Sequence, residues 1–200
     1  TNKRADFDGD GRTDLSVFRH SDTKWYYLDR FSGNAQATQW GLSSDKHAPG
    51  DYDGDGKTDF AIFRPTDATW YILQSATNTL TAPQWGLSTD IPVAGDYDGD
   101  NKTDVAVWRP SDGNWYVSRS SNQTLLSENF GQNGDVPLVG DFDGDRKTDF
   151  AFFRPDAAPG EATWNILKSG GGTIVKQFGL SNDKLVPADY DGDGTTDFGV

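Results

Sequence analysis

Apolar residues in this chain come in short clusters separated by polar, glycine-rich stretches, and the clusters carry the rhythm of strands. One stretch shows the whole pattern. Ile91-Pro92-Val93-Ala94-Gly95 is a brief apolar run leading into an acidic segment. Asp104-Val105-Ala106-Val107-Trp108-Arg109 follows, rich in the β-branched and aromatic residues that favour strands. Pro110-Ser111-Asp112-Gly113-Asn114 reads as a turn, because proline presets φ and Asp-Gly accepts positive φ. Trp115-Tyr116-Val117-Ser118-Arg119 is a third strand, residues 120–123 turn again, and a fourth strand is expected around 125–130. No segment has a 3.6-residue period long enough for a helix.

The same pattern recurs along the chain. The string Asp-(Phe/Tyr)-Asp-Gly-Asp-x-x-Thr-Asp begins at Asp6, Asp51, Asp96, Asp141 and Asp189, at intervals of 45, 45, 45 and 48 residues. Three other landmarks keep step. They are an aromatic-Arg pair (Phe18-Arg19, Phe63-Arg64, Trp108-Arg109, Phe153-Arg154), a tryptophan (Trp25, Trp70, Trp115, Trp164) and an aromatic-Gly pair (Trp40-Gly41, Trp85-Gly86, Phe130-Gly131, Phe178-Gly179). The longer fourth interval fits an insertion in 156–162. Four short strands in about 45 residues predict one blade of a β-propeller, a unit that cannot bury both faces alone and must stack on its neighbours. A sandwich with accidental similarity would not keep four landmarks in register.

The fold expected is therefore all-β, a single repeat domain over residues 1–200. Its complete units are 6–50, 51–95, 96–140 and 141–188, with a partial fifth at 189–200. Three readings of the ends stay open: a piece of a longer propeller, which is favoured, an unusual ring closure, or a subunit whose open edges a neighbour completes.

The acidic strings add chemistry to this frame. Each offers four carboxylates in nine residues, at relative positions 1, 3, 5 and 9. They are Asp6, Asp8, Asp10 and Asp14; Asp51, Asp53, Asp55 and Asp59; Asp96, Asp98, Asp100 and Asp104; Asp141, Asp143, Asp145 and Asp149; Asp189, Asp191, Asp193 and Asp197. Alternate spacing in a tight glycine-containing loop points the carboxylates at one centre. Hard oxygen ligands without His or Cys suit Ca²⁺, which accepts 6–8 oxygens in flexible geometry. The backbone carbonyl at position 7 (Arg12, Lys57, Lys102, Lys147, Thr195) is a further expected ligand, giving up to five ions, one per loop. Position 6 is glycine in three loops but Asn101 and Arg146 in the others, and Arg146 makes the fourth loop the weakest candidate. The position-12 Glu of an EF-hand is missing and a strand follows, so these are EF-like loops on a β scaffold.

Composition narrows the function. With 31 acids against 18 bases, the net charge of −13 disfavours a nucleic-acid partner. No apolar run is long enough to insert in a membrane as a helix. The absence of Cys removes disulfides and thiolate sites. Twenty of the acids lie in the five loops, and five Ca²⁺ would bring the charge to −3. The four recurring tryptophans are expected in blade packing rather than on sugar platforms. Arg19, Arg64, Arg109 and Arg154 are expected to pair with loop Asp residues or stack on Trp. His20 and His47 occupy unrelated repeat positions, Glu128 and Glu161 are isolated, and no recurring catalytic base stands near the loops, so the chain is expected not to be an enzyme. Asn101 and Asn122 fall in glycosylation sequons.

The loops and their period resemble the FG-GAP/VCBS repeat family, the calcium-binding blades also found in the integrin α-subunit propeller. The resemblance covers residues 5–200 and is best seen in 50–60 and 95–105. It implies that calcium rigidifies the loop between the first and second strands of each blade. It also implies a secreted or cell-surface module serving adhesion, ligand presentation or assembly, with an extracellular protein or glycan as partner and self-assembly through incomplete blades as a further route. A carbohydrate-binding lectin with sites on or between blades, and an accessory domain of a larger secreted enzyme, remain as alternatives.

Overall fold

The computed structural model describes residues 5–155 and 162–200; the expected insertion at 156–162 and Glu161 fall wholly or largely outside them. The described residues contain only strands and turns, with no helix and hence none long and apolar enough to cross a membrane. Four antiparallel sheets are arranged as the blades of a β-propeller. The first contains β1 (Ser16–Arg19), β2 (Lys24–Leu28) and β3 (Ala35–Gln39). The second runs β4 (Lys46–His47), β5 (Phe60–Arg64), β6 (Thr69–Leu73) and β7 (Leu80–Thr81). The third is β8 (Ile91–Pro92), β9 (Val105–Arg109), β10 (Asn114–Ser118) and β11 (Leu125–Asn129). The fourth is β12 (Val136–Gly140), β13 (Asp149–Arg154), β14 (Thr163–Leu167) and β15 (Thr173–Gln177). The fifth acidic string folds into a hairpin closed by the Ala188–Asp197 bridge and a hydrogen bond from Val186 N–H to the Gly199 carbonyl, 2.9 Å.

Strand alternation explains how each sheet packs. In β10, Trp115 and Val117 are buried while their neighbours are half-exposed, which is the period-2 pattern of a strand with two unlike faces. In β9 the run Ala106-Val107-Trp108 is buried throughout, because a central strand is covered by a blade on either face. The cores therefore lie between sheets. One such cluster joins Trp108, Trp115 and Val117 of the third blade to Phe150 of the fourth.

The sheets are out of phase with units counted from string to string. The second to fourth blades each start at the short strand ahead of their acidic loop, as β8 pairs with β9 across residues 96–104, whereas the first blade has three strands, all after its loop. In the second to fourth blades the loop thus sits between the first two strands, and its geometry is fixed at both ends by sheet hydrogen bonds.

Candidate metal centres

Every acidic loop is wound around its own carboxylates. In the second, Asp51 accepts hydrogen bonds from Gly54 N–H (2.6 Å) and Gly56 N–H (2.9 Å), one on each oxygen. Asp53 accepts from Asp55 N–H, and Asp55 from Lys57 N–H. Asp59 accepts from Tyr52 N–H at 2.8 Å, tying the end of the loop to its start. The other four loops repeat the scheme, down to Asp189 with Gly192 and Gly194. The turn needs positive φ at positions 4 and 6. Glycine supplies it in most places, whereas Asn101 and Arg146 are held at φ 67° and 72°. Arg146 nonetheless donates its N–H to Asp141 at 2.8 Å, so the fourth loop keeps the common geometry.

This winding leaves three carboxylates facing one point. One oxygen each of Asp51, Asp53 and Asp59 lie within 4.8 Å of one another, and the same holds for Asp96, Asp98 and Asp104, for Asp141, Asp143 and Asp149, and for Asp189, Asp191 and Asp197. In the first loop the gathered set is Asp6, Asp8 and Asp10. The position-5 carboxylates of the second to fourth loops turn instead toward serines of the opposite turn. Ser75 donates its hydroxyl to Asp55, Ser120 to Asp100 and Ser169 to Asp145. The backbone N–H groups of these serines also donate to Asp59, Asp104 and Asp149 at 2.7–2.8 Å. Their recurrence at the same repeat position was the signal that could have marked them in the sequence. Arg30 stands there in the first blade and donates its N–H to Asp8, which leaves a buried Asp14 oxygen with no hydrogen-bond partner among the described residues.

The electrostatics of the loops are set by burial and by crowded like charges. Burial pushes the Asp104 and Asp149 carboxyls up to about 6, against the pull of backbone hydrogen bonds, and neighbouring Asp residues add to the rise. Asp14, Asp51, Asp59 and Asp96 are raised for the same first reason. At Asp96 the N–H groups of Gly99 and Asn101 oppose that rise without cancelling it. Two carboxylates about 4 Å apart repel by ~1 to ~4 kcal/mol, depending on the effective dielectric. An all-carboxylate donor set, a buried oxygen lacking a donor and this repulsion together fit a hard divalent cation better than they fit solvated turns.

The FG-GAP-like repeat pattern matches residues 6–62 and again 51–107, just over half the chain, each match spanning two acidic loops. The chain belongs to the FG-GAP-like repeat family. No curated protein matches this FG-GAP-like chain. Among solved structures it is similar to one described as "Streptogramin B lyase structure", with a TM-score of 0.52 and 13% identity over 86% of this chain and 67% of that one. At that identity the likeness speaks for the propeller fold alone.

The remaining candidates of this FG-GAP-like chain divide clearly. Trp25, Trp70, Trp115 and Trp164 are buried in the blades, with their indole N–H groups donating to the carbonyls of Trp40, Trp85, Phe130 and Phe178. Buried rings cannot serve as sugar platforms. Arg64, Arg109 and Arg154 do pair with aspartates, but with Asp45, Asp90 and Asp135 in the turns ahead of each blade, not with the acidic strings. Arg64 and Arg109 stack on Tyr71 and Tyr116 rather than on Trp. Those turn aspartates are buried and were missed in the sequence, although they too recur every 45 residues. His20 and His47, unrelated in the repeat, meet in space with ring centres 5.5 Å apart, beside Phe18 and Trp25. Glu128 lines a groove between the third and fourth blades, together with Arg119, Lys147 and Lys168.

Proposed function

We propose that this chain is a non-enzymatic repeat module, stabilised by up to five Ca²⁺ ions, that works outside the cell in adhesion, ligand presentation or assembly. The observation that carries the reading is the gathering of three carboxylate oxygens within 4.8 Å in each of five loops. Asp6, Asp51, Asp96, Asp141 and Asp189 anchor the loops, and a bound ion supplies the positive charge that offsets their repulsion. The chain's own residues do the rest: backbone N–H groups fix each carboxylate, and the sheet holds both ends of the loop. Weak calcium modules have Kd values around 10⁻⁴–10⁻³ M, which suits extracellular calcium. At ~1 mM Ca²⁺ and a Kd of ~0.1 mM, each site adds roughly 1.4 kcal/mol to stability. The buried tryptophans count against the lectin alternative.

The test is thermal melting with and without a chelator, together with metal counting by native mass spectrometry. Bound calcium and a clear fall in Tm on chelation are expected. A Tm indifferent to chelation, with no calcium retained, would overturn the reading.

A further inference from the structure

Consecutive blades leave grooves between them, and two such grooves occupy equivalent places but differ in chemistry. The one between the second and third blades, about 400 Å³, is lined only by neutral side chains, among them Gln74, Gln84 and Gln123. The one between the third and fourth, about 680 Å³, has Arg119 where the other has Gln74, and adds Lys147, Lys168, Asp98 and Glu128.

The three cations gather at one end. Arg119 directly follows β10 and Lys168 directly follows β14, while the Lys147 stem crosses from the fourth acidic loop onto Gly99 of the third. All three are half-buried, and none makes an ion pair among the described residues, in a chain whose net charge is −13. Asp98, the acid at this end, is already engaged, accepting the Ser121 hydroxyl at 2.6 Å. The other end carries the opposite charge. Glu128 pairs with Trp115 in the β10–β11 ladder, four residue steps before Arg119 and so roughly 13 Å from it along the strand. Its carboxylate has no hydrogen-bond or ionic partner among the described residues. Leu126 and Leu167, both half-buried, line the walls.

We propose that this groove binds a short acidic saccharide, its carboxylate or sulfate held by Arg119, Lys147 and Lys168 and its far hydroxyls donating to Glu128. Each part of the lining asks for one part of that ligand. Unpaired cations call for an oxyanion, which arginine can grip with two parallel hydrogen bonds. A carboxylate at the far end accepts only, so it calls for O–H donors. The leucine walls take the C–H faces between. A bare oxyanion fills one end alone, and a free amino acid is too short to reach both. The volume falls within the ~300–1,000 Å³ of small-ligand sites. A long polyanion is disfavoured, because the acidic surface beyond the groove repels it. The site needs no tryptophan platform: it grips charge and hydroxyls, and the rings stay in the blades. It goes beyond the repeat-module reading.

Isothermal titration calorimetry tests it, in calcium-containing buffer with the heats of dilution subtracted. The probes are trigalacturonate, sulfated galactotriose, uncharged galactotriose and inorganic sulfate. At least one acidic trisaccharide is expected to bind, about tenfold or more tightly than galactotriose and than inorganic sulfate, and less tightly as salt is raised. Which of the two binds better names the anionic group. Arg119→Gln and Lys168→Gln are each expected to weaken that binding about tenfold, the loss of one charge-assisted contact. Lys147 is left in place because its stem also covers Gly99. Lys176→Gln removes the same charge from an exposed position of β15 outside the groove, and is expected to leave affinity unchanged. Circular dichroism confirms that the variants are folded. Acidic and uncharged trisaccharides that bind alike or not at all, sulfate that binds as tightly as the sugars, or a Lys176→Gln loss equal to those of the groove variants would overturn the proposal. A failed calcium reading shows in the melting experiment instead, since this one reads ligand heat.

Discussion

Arg146 occupies a position that glycine fills in three of the five loops, and its φ of 72° lies in the left-handed region that a side chain disfavours. Arg146→Gly is expected to stabilise the protein by about 1 kcal/mol, read as a higher Tm, since the cost of that conformation is about 1–2 kcal/mol for non-glycine residues. His47 supplies a pH effect. Burial lowers its pKa, the neighbouring His20 lowers it further, and Asp45 opposes both. The folded state therefore prefers the neutral ring, while the unfolded chain takes up a proton near the ordinary value of about 6.5. Stability tied to this residue is fully present above that pH and is lost as the pH falls below it. Melting curves of wild type and His47→Phe should diverge on acidification from neutral pH, with the wild type falling faster; parallel curves would remove the effect. The residue scale was partly legible in the sequence. Spacing alone points the carboxylates at positions 1, 3, 5 and 9 to one centre, whereas positions 1, 3 and 9 meet in the second to fifth loops and positions 1, 3 and 5 in the first, because serines across the turn draw the position-5 carboxylates of the second to fourth loops away. The Arg109–Asp90 pair was missed although Asp90 closes the recurring string Trp85-Gly86-Leu87-Ser88-Thr89-Asp90, because its members lie 19 residues apart and nothing local says which base the aspartate meets.

At the scale of elements, β9, β10 and β11 fall within a residue or so of their expected places, since turn residues punctuate a clear run of β-branched and aromatic positions. The first strands were harder. Lys46–His47 spans two polar residues, too few to show any period, so the most visible string marks the repeat in the sequence while the sheet boundary stays hidden. What joins one sheet to the next was equally hidden, because Thr58 reads as a turn residue until its 52-residue separation from Asp6 is closed in space. Thr58→Val keeps the shape and removes the hydroxyl acceptor for the buried Asp6 N–H. A loss of about 1–3 kcal/mol is expected, the cost of an unsatisfied buried donor, measurable by denaturant unfolding. Thr13→Val, at the exposed equivalent, is expected to leave the unfolding midpoint of dilute protein unchanged.

Across the whole molecule the five loops are not equivalent. The stems of Lys57, Lys102 and Lys147 lie against Gly9, Gly54 and Gly99 of the preceding loop, and Thr195 covers Gly144. The fifth loop has no such cover among the described residues, and Asp189 and Asp191 are exposed. Asp98→Ala is therefore expected to lower the Tm of calcium-loaded protein clearly more than Asp191→Ala, by differential scanning calorimetry; equal losses would mean that a covering blade does nothing for the ion site. The position-1 aspartates extend this point. Asp51 turns its carboxylate into its own loop and gives its carbonyl to Thr103 of the next blade. Tension pulled along the array must therefore pass through residues of the proposed ion sites, so on that proposal the calcium supply would set the force at which the blades part.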